Sequence, residues 1–235
     1  MSFLRAEWRK LIMINYKVKP EVLEKYLPNG TELDSYNGSY YVSVVGFMFL
    51  NTKLLGVKVP FHINFEEVNL RFYVKRKEGN EWKRGVVFIK EIVPKPAITF
   101  VANTIYKENY QTLPMKHTWD ENNERLKISY QWKTNSSWNE IRVETENKKK
   151  EMKDNSEIEF IAEHYWGYAK DKDKTTEYEV KHPSWKYYPV NAYKIVVDFL
   201  KTYGEDFTFL ESELPSSVFL LEGSEISVEN KKVLT

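Results

Sequence analysis

Polar and apolar side chains alternate with a period of two over much of the chain, and that period predicts strands. WRKLIMINYKV, beginning at Trp8, is rich in apolar and β-forming residues and reads as a first strand. SYYVSVVGFMFL is almost continuously apolar but broken by Gly46, which fits a strand buried on both faces or bent at the glycine. NFEEVNLRFYVKR alternates cleanly: Phe65, Glu67, Asn69, Arg71 and Tyr73 share one face, and Glu66, Val68, Leu70, Phe72 and Val74 the other. KEGNEW then turns the chain back into RGVVFIKEIV, so these two strands are expected to form a hairpin. RLKISYQW, NEIRVETE and TEYEV read as further, shorter strands.

Helical spacing appears in fewer places. KPEVLEKYLP has Pro20 suited to a first turn and Val22, Leu23, Tyr26 and Leu27 at helical intervals, and Pro28-Asn29-Gly30 stops it. PAITFVANTIYKENY predicts a helix with Ile98, Val101, Ala102 and Ile105 on its apolar face. Ser156-x-x-Glu159 has the form of a capping box opening EIEFIAEHYWGY, and YKIVVDFLKTYG is amphipathic. No internal repeat is visible, and no linker rich in Pro, Gly or Ser divides the chain. The pattern therefore predicts one α+β domain over residues 1–235, built mostly on antiparallel strands.

Composition changes this picture mainly by exclusion. A net charge near +1, with lysines interleaved among Glu and Asp, argues against bulk nucleic-acid binding, which needs a basic face. The absence of cysteine removes disulfides, thiolate nucleophiles and Cys-ligated zinc. No apolar run approaches the length of a membrane span, and MSFLRAEWRK lacks a signal-like core, so a cytoplasmic setting is the default and no membrane partner is expected. The 16 Tyr, 13 Phe and 7 Trp supply large apolar rings, many with a polar atom able to point into a cavity.

Candidate chemistry concentrates in three places. The face of Glu67, Asn69 and Arg71 either looks at water or lines the inside of a cone or barrel, where Glu and Arg would orient a polar ligand. Lys95 stands in IVPKPAI between two stiffening prolines; it is either a solvated corner or an amine held still in apolar surroundings that favour its neutral form. EHYWGY gathers Glu163, His164 and three aromatic rings, either as a helix end packing its rings or as a pocket wall. The four histidines are scattered without metal-ligand spacing, so no metal is expected, and neither a phosphate loop nor a serine-hydrolase elbow is present.

Several segments taken together, EWRKLIMINY, LPNGTELD, VVGFMFL, NFEEVNLRFYV, GVVFIKEIVPKPAI, EHYWGY and SVFLLEGS, resemble the YqjF-like family of uncharacterised bacterial proteins, a family of unknown function. The likeness runs in order from about residue 3 to residue 229. That family is grouped with the acetoacetate decarboxylase-like superfamily, which implies a cone or barrel of antiparallel strands, flanked by a few helices, around a central cavity. Those enzymes carry a Schiff-base lysine in a Tyr-Pro-Lys-Lys stretch, to which VPKPAI is similar, so the resemblance gives Lys95 that role. Arg9 before KLIMINY is similar in spacing to an arginine of those enzymes. The second lysine of their motif is Pro96 here, and their active-site glutamate has no clear counterpart.

Two functions follow from these residues and this resemblance. One is a Schiff-base lyase acting on a keto acid, with Lys95 as the imine-forming amine, Arg9 or Arg71 holding a carboxylate, and Glu67 or His164 carrying protons. Asn69, Trp166 and Tyr168 would complete the substrate site, and no cofactor is needed. The other is a non-catalytic module that binds a small apolar or aromatic molecule between Tyr and Trp walls. A protein-interaction scaffold, homo-oligomeric or not, is a third and less economical reading.

Overall fold

The computed structural model describes residues 2–234. The chain opens with β1 (Leu4–Val18), passes a single helical turn α1 (Glu21–Glu24) and a short β2 (Glu32–Leu33), and returns along β3 (Tyr40–Leu54). β4 (Phe65–Glu78) and β5 (Glu81–Val93) form the hairpin expected from KEGNEW, and α2 (Pro96–Val101) continues into a π-helical turn over Ala102–Tyr106. β6 (Tyr110–Thr112), β7 (Met115–Glu121), β8 (Arg125–Thr134) and β9 (Ser137–Glu146) follow. After α3 (Glu157–Ala162) come β10 (Trp166–Asp171), β11 (Lys174–Lys181), β12 (Tyr187–Tyr188) and β13 (Val190–Val196). α4 (Phe199–Tyr203), a 3-10 turn over Glu205–Glu211, β14 (Ser217–Val228) and β15 (Lys232–Leu234) complete the described chain.

The strands form two sheets, and the pairings are antiparallel except for β5 with β6 and β5 with β10. In the larger sheet the pairings run from β14 through β1, β3, β4, β5 and β10 to β11, and β11 pairs β14 again through Val180 with Val228 and Lys181 with Ser227. The smaller sheet, in the order β13-β9-β8-β7, covers the face of the larger one that carries Val44, Leu70 and Phe72. Its Ile128, Tyr130, Ile141 and Val143 complete that core, so β3 is buried on both faces, as its continuous apolar run implies, and the apolar face of the alternating β4 is buried with it. Gly46 permits the close approach: a Cβ there would lie 2.7 Å from Ile141 Cδ1 and 3.0 Å from Tyr130 Cδ2. The opposite face, with Phe47, Phe49, Phe65 and Tyr73, packs against α3 and Trp185.

Three expectations change. EIEFIAEHYWGY is not one helix: Ser156 caps α3 as its spacing predicts, accepting from the Glu159 N–H, but the helix ends at Ala162 and Trp166 begins a strand. YKIVVDFLKTYG likewise divides, its first half pairing with β9 and Asp198 capping α4. In the helix after Lys95, Ile105 is exposed and Tyr106 buried, because the wider π-helical turn rotates the face by about one residue. Among the described residues no helix is long and apolar enough to cross a membrane.

Candidate functional site

The alternation of β4 carries Phe65, Glu67, Asn69 and Arg71 to the wall of a pocket of about 240 Å³. Between the two readings of this face, the structure decides for the interior: Glu67, Asn69 and Arg71 are only 2%, 1% and 8% exposed. The partner strand β5 would, by plain alternation, present Val86, Phe88 and then Lys90. A bulge intervenes: Arg71 pairs Phe88 while Leu70 pairs Lys90, leaving Ile89 as the extra residue. The slip turns Glu91 into the pocket opposite Asn69 and sends Lys90 to the other face, where its Nζ donates to the Thr202 carbonyl at 2.5 Å.

The polar end of the pocket is built around three glutamates. Glu67 accepts from Asn69 Nδ2 at 2.9 Å and from the Tyr110 hydroxyl at 3.0 Å, while Glu108 accepts from the Tyr178 hydroxyl at 2.7 Å. Tyr178 reaches Glu108 across Gly167, where any Cβ would lie 2.1 Å from Tyr178 Cζ, so only glycine leaves room for the ring. Burial raises the carboxyl of each of Glu67, Glu91 and Glu108 above the ordinary carboxylate range. Mutual repulsion adds to this for Glu91, which feels both Glu108 and Glu67, and for Glu108, which feels Glu67. Hydrogen bonds from Asn69 and Tyr110 and the charge of Arg71 oppose the rise at Glu67. Burial and the same carboxylates push Tyr110 and Tyr178 up, so both phenols remain neutral donors.

Beyond this end the walls are apolar, with Trp8, Phe47, Phe49, Phe88, Ile98 and Val101 among them. His164 joins the lining at the foot of α3, with its Nε2 3.2 Å from Asp34 Oδ2 and its ring against Tyr73 and Phe160. Burial pushes its imidazole down to about 4, more than the hydrogen bond to Asp34 raises it. Burial would raise Asp34, but its bonds to His164 and Arg84 hold it down at about 2. A neutral His164 donating to an ionised Asp34 leaves Nδ1 as an acceptor, and Nδ1 has no partner. Eight buried side-chain polar atoms lack a hydrogen-bond partner among the described residues. Six of them, on Trp8, Thr52, Asn69, Arg71, Glu91 and His164, belong to residues lining this one pocket.

The residues singled out from the sequence divide accordingly. Glu67, Asn69, Arg71 and His164 line the pocket together, and Trp166 borders it while its ring lies beneath the Lys83 ammonium, 3.9 Å from Nζ, and against the core between the sheets. Tyr168 turns away, fully buried in the core between the sheets with its hydroxyl 3.3 Å from the Lys83 carbonyl, because EHYWGY is strand at this point and alternation separates it from Gly167. Arg9 is not in the lining; it pairs with Glu7 at 2.8 Å and donates to the Gly223 carbonyl at 3.2 Å. Lys95 is half-buried at the start of α2 and also outside the lining. Its charge acts instead on Glu66, on the reverse face of β4. There burial opposes, but the His117 hydrogen bond at 2.6 Å and the Lys95 charge hold the carboxyl below its ordinary range. Among the described residues no lysine lines the pocket.

Sequence reasoning missed Glu91, Glu108, Tyr110 and Tyr178. Glu91 is hidden by the bulge, which no local residue announces. Glu108 and Tyr110 lie in KENY after the π-helical turn, where the spacing predicts continued helix, and Tyr178 is an inward residue of TEYEV whose role depends on Gly167 opposite it.

A family model for uncharacterized conserved proteins, DUF2071, matches residues 5–225. The uncharacterized protein YqjF of Bacillus subtilis (strain 168) is 29% identical over 114 residues, 48% of this chain and 46% of that protein, so the match spans about half of this curated relative. Among solved structures, acetoacetate decarboxylase from Legionella pneumophila aligns with a TM-score of 0.67 at 12% identity, over 99% of this chain and 87% of that one. The enduracididine biosynthesis enzyme MppR complexed with pyruvate gives 0.67 at 11% identity over 100% and 91%. An acetoacetate decarboxylase-like enzyme from Sphingomonas wittichii RW1 gives 0.67 at 8% identity over 100% and 94%. At such identities the likeness shows the fold alone, which is acetoacetate decarboxylase-like and mostly antiparallel β with few helices.

Proposed function

The chain belongs to the DUF2071 family of uncharacterized conserved proteins, and from its site we propose that it binds a small molecule with an apolar, ring-sized body and one polar head. In this reading the re-entrant strand pairings form the cone of the fold, the pocket is its central cavity, and the polar end around Glu67, Asn69 and Glu91 takes the head. The observation that carries it is that six of the unpartnered buried polar atoms among the described residues belong to residues lining a single, largely apolar pocket. A buried polar group without a partner costs about 1–3 kcal/mol, and a ligand that supplies the partners recovers part of that cost. Convergent polar groups in an apolar pocket are the usual form of a small-molecule site.

The enzymatic reading, an imine-forming lyase, has less support. The neighbours in fold include an acetoacetate decarboxylase and an enzyme holding pyruvate, but imine chemistry needs an amine at the substrate, and Lys95 lies outside the lining. Fold likeness is a weak warrant for a reaction.

Trp8 on the lining makes a direct test available. Titration with neutral aromatic probes such as indole and 2-phenylethanol is expected to shift the tryptophan emission and raise the melting temperature. Ala102→Trp, which fills the pocket from the π-helical turn, is expected to abolish both effects while the far-ultraviolet dichroism stays unchanged. Borohydride added with a panel of keto acids is expected to leave no adduct on Lys95. Probes that change neither signal would sink the binding reading, and a reduced adduct on Lys95 would restore the lyase.

A further inference from the structure

We propose that the head group taken by this pocket is an organic cation, a primary ammonium on a short aromatic or branched aliphatic body, seated among Glu67, Glu91 and Glu108 and faced by the rings of Tyr106, Tyr110 and Tyr178. The inference rests on the binding reading above and names the class of ligand.

Charge is the first argument. Three carboxyls line this end, against one guanidinium, and Arg71 already donates through Nη2 to the Ile161 carbonyl at 3.2 Å. An anionic head would meet those carboxyls with a single partly engaged cation to hold it. An ammonium has the opposite fit, with three N–H donors and no acceptor. The second argument is the set of free acceptors. Glu91 Oε2 and Asn69 Oδ1 have no donor, and both residues lie on the lining, 2% and 1% exposed. Each Glu67 oxygen accepts only one hydrogen bond, which leaves a lone pair on each. Of the unpartnered atoms on β4 and β5, Glu91 Oε2 and Asn69 Oδ1 ask for donors, and Arg71 Nε asks for an acceptor.

The walls give the third argument. Tyr106 and Tyr178 stand edge to face with centroids 5.0 Å apart, and Tyr110 donates its hydroxyl to Glu67, so aromatic rings share this lining with the carboxyls. A cation against such rings gains from their quadrupoles, most strongly where water is excluded. A metal ion fits less well. Among the described residues no three His, Cys, Asp or Glu side chains converge as ligands, and each of Glu67 and Glu108 is turned onto a phenol.

Binding would be linked to proton release. The groups facing the head are Glu67 and Arg71 from β4, Glu91 from β5, Glu108 and Tyr110 after the π-helical turn, Tyr178 from β11, and the neutral His164. Burial raises all three carboxyls above the ordinary carboxylate range, and mutual repulsion adds to this at Glu91 and Glu108. When an ammonium enters, an O–H bond of one carboxyl breaks, its proton leaves to the buffer, and the ammonium keeps its own protons and pairs with the carboxylate.

Calorimetry of the full chain with 2-phenylethylamine, 2-phenylethanol and 3-phenylpropanoate tests this, in two buffers of different ionisation enthalpy near neutral pH. The amine is expected to bind at least about tenfold tighter than the alcohol, as a hydrogen bond to a charged group would give, and to release protons. Glu91→Gln and Glu67→Gln, which keep the shape of the side chain but cannot become carboxylates, are each expected to remove that preference and the proton release with it. Equal binding of amine and alcohol, tightest binding of the acid, or amine binding without proton release would overturn the cation and leave the pocket standing. Failure of all three probes to bind would overturn the pocket reading with it.

Discussion

Glu91 owes its place to a single extra residue. Without the bulge at Ile89, alternation would aim Lys90 at Asn69 and Glu67, and the pocket would hold a salt-bridging amine in place of a third acid. With it, Glu91 is buried with one oxygen unpartnered, and burial together with Glu108 and Glu67 pushes its carboxyl above the ordinary range. The folded state therefore holds a proton that the unfolded chain releases, so this contribution to stability is fully present below the unfolded carboxylate range and is lost as pH rises through the raised values. Glu91→Gln, which cannot ionise, is expected to leave the melting temperature unchanged at about pH 5, near the ordinary carboxylate range. At about pH 8.5 it is expected to raise the midpoint by roughly 2–4 °C for each kcal/mol recovered. Melting curves across that interval check this, and a wild type that gains stability as pH rises would refute the protonated cluster.

Strands were the elements best read from the sequence, because a period of two survives whatever packs on either side. The faces of β4 came out correctly, and so did the hairpin with β5 and the cap at Ser156. What the local pattern could not show was where a period changes. The bulge in β5, the π-helical turn that exchanges Ile105 for Tyr106, and the break at Ala162 each shift a register by tertiary packing, and each moves a residue into or out of the site. Half of the site was therefore visible, the half on β4 and at His164, while Glu91, Glu108 and Tyr178 were not. Gly46 is where local sequence and packing meet most tightly. Gly46→Ala drives a methyl into Ile141 Cδ1, and overpacking of this kind costs about 1–3 kcal/mol. Ile141→Val removes that carbon, so the double variant is expected to be more stable than the sum of the two single losses. Denaturant unfolding of the four proteins measures the coupling, and strict additivity would show that the second sheet does not press on β3 there.

At the scale of the molecule, the return of the sheet on itself joins the site to one of the fold's short pairings. β1 lies beside β14 from Leu4 opposite Val228 to Asn15 opposite Ser217, whereas β11 meets β14 through Val180 with Val228 and Lys181 with Ser227, extended by the Glu229 N–H donating to the Glu179 carbonyl at 2.9 Å and by three pairs with β15. Val180 and Val228 both line the pocket, and Tyr178, two residues earlier, carries the hydrogen bond to Glu108. The small apolar cluster of Tyr106, Tyr178 and Val180 closes over the same place, far less extensive than the core between the sheets. A short ladder over a small cluster opens at lower free energy than a long one sealed by a second sheet. Hydrogen exchange in peptides covering residues 179–182 and 226–229 is therefore expected to be at least about a hundredfold faster than in those covering the centres of β3 and β4. A ligand bridging Tyr178 and Glu108 to β4 would hold the seam shut, so a bound amine is expected to slow the seam selectively and leave β3 unchanged. Seam amides as slow as those of β3 in the free protein would refute the weak seam. A seam that stays fast with ligand bound would mean that the ligand does not reach Tyr178.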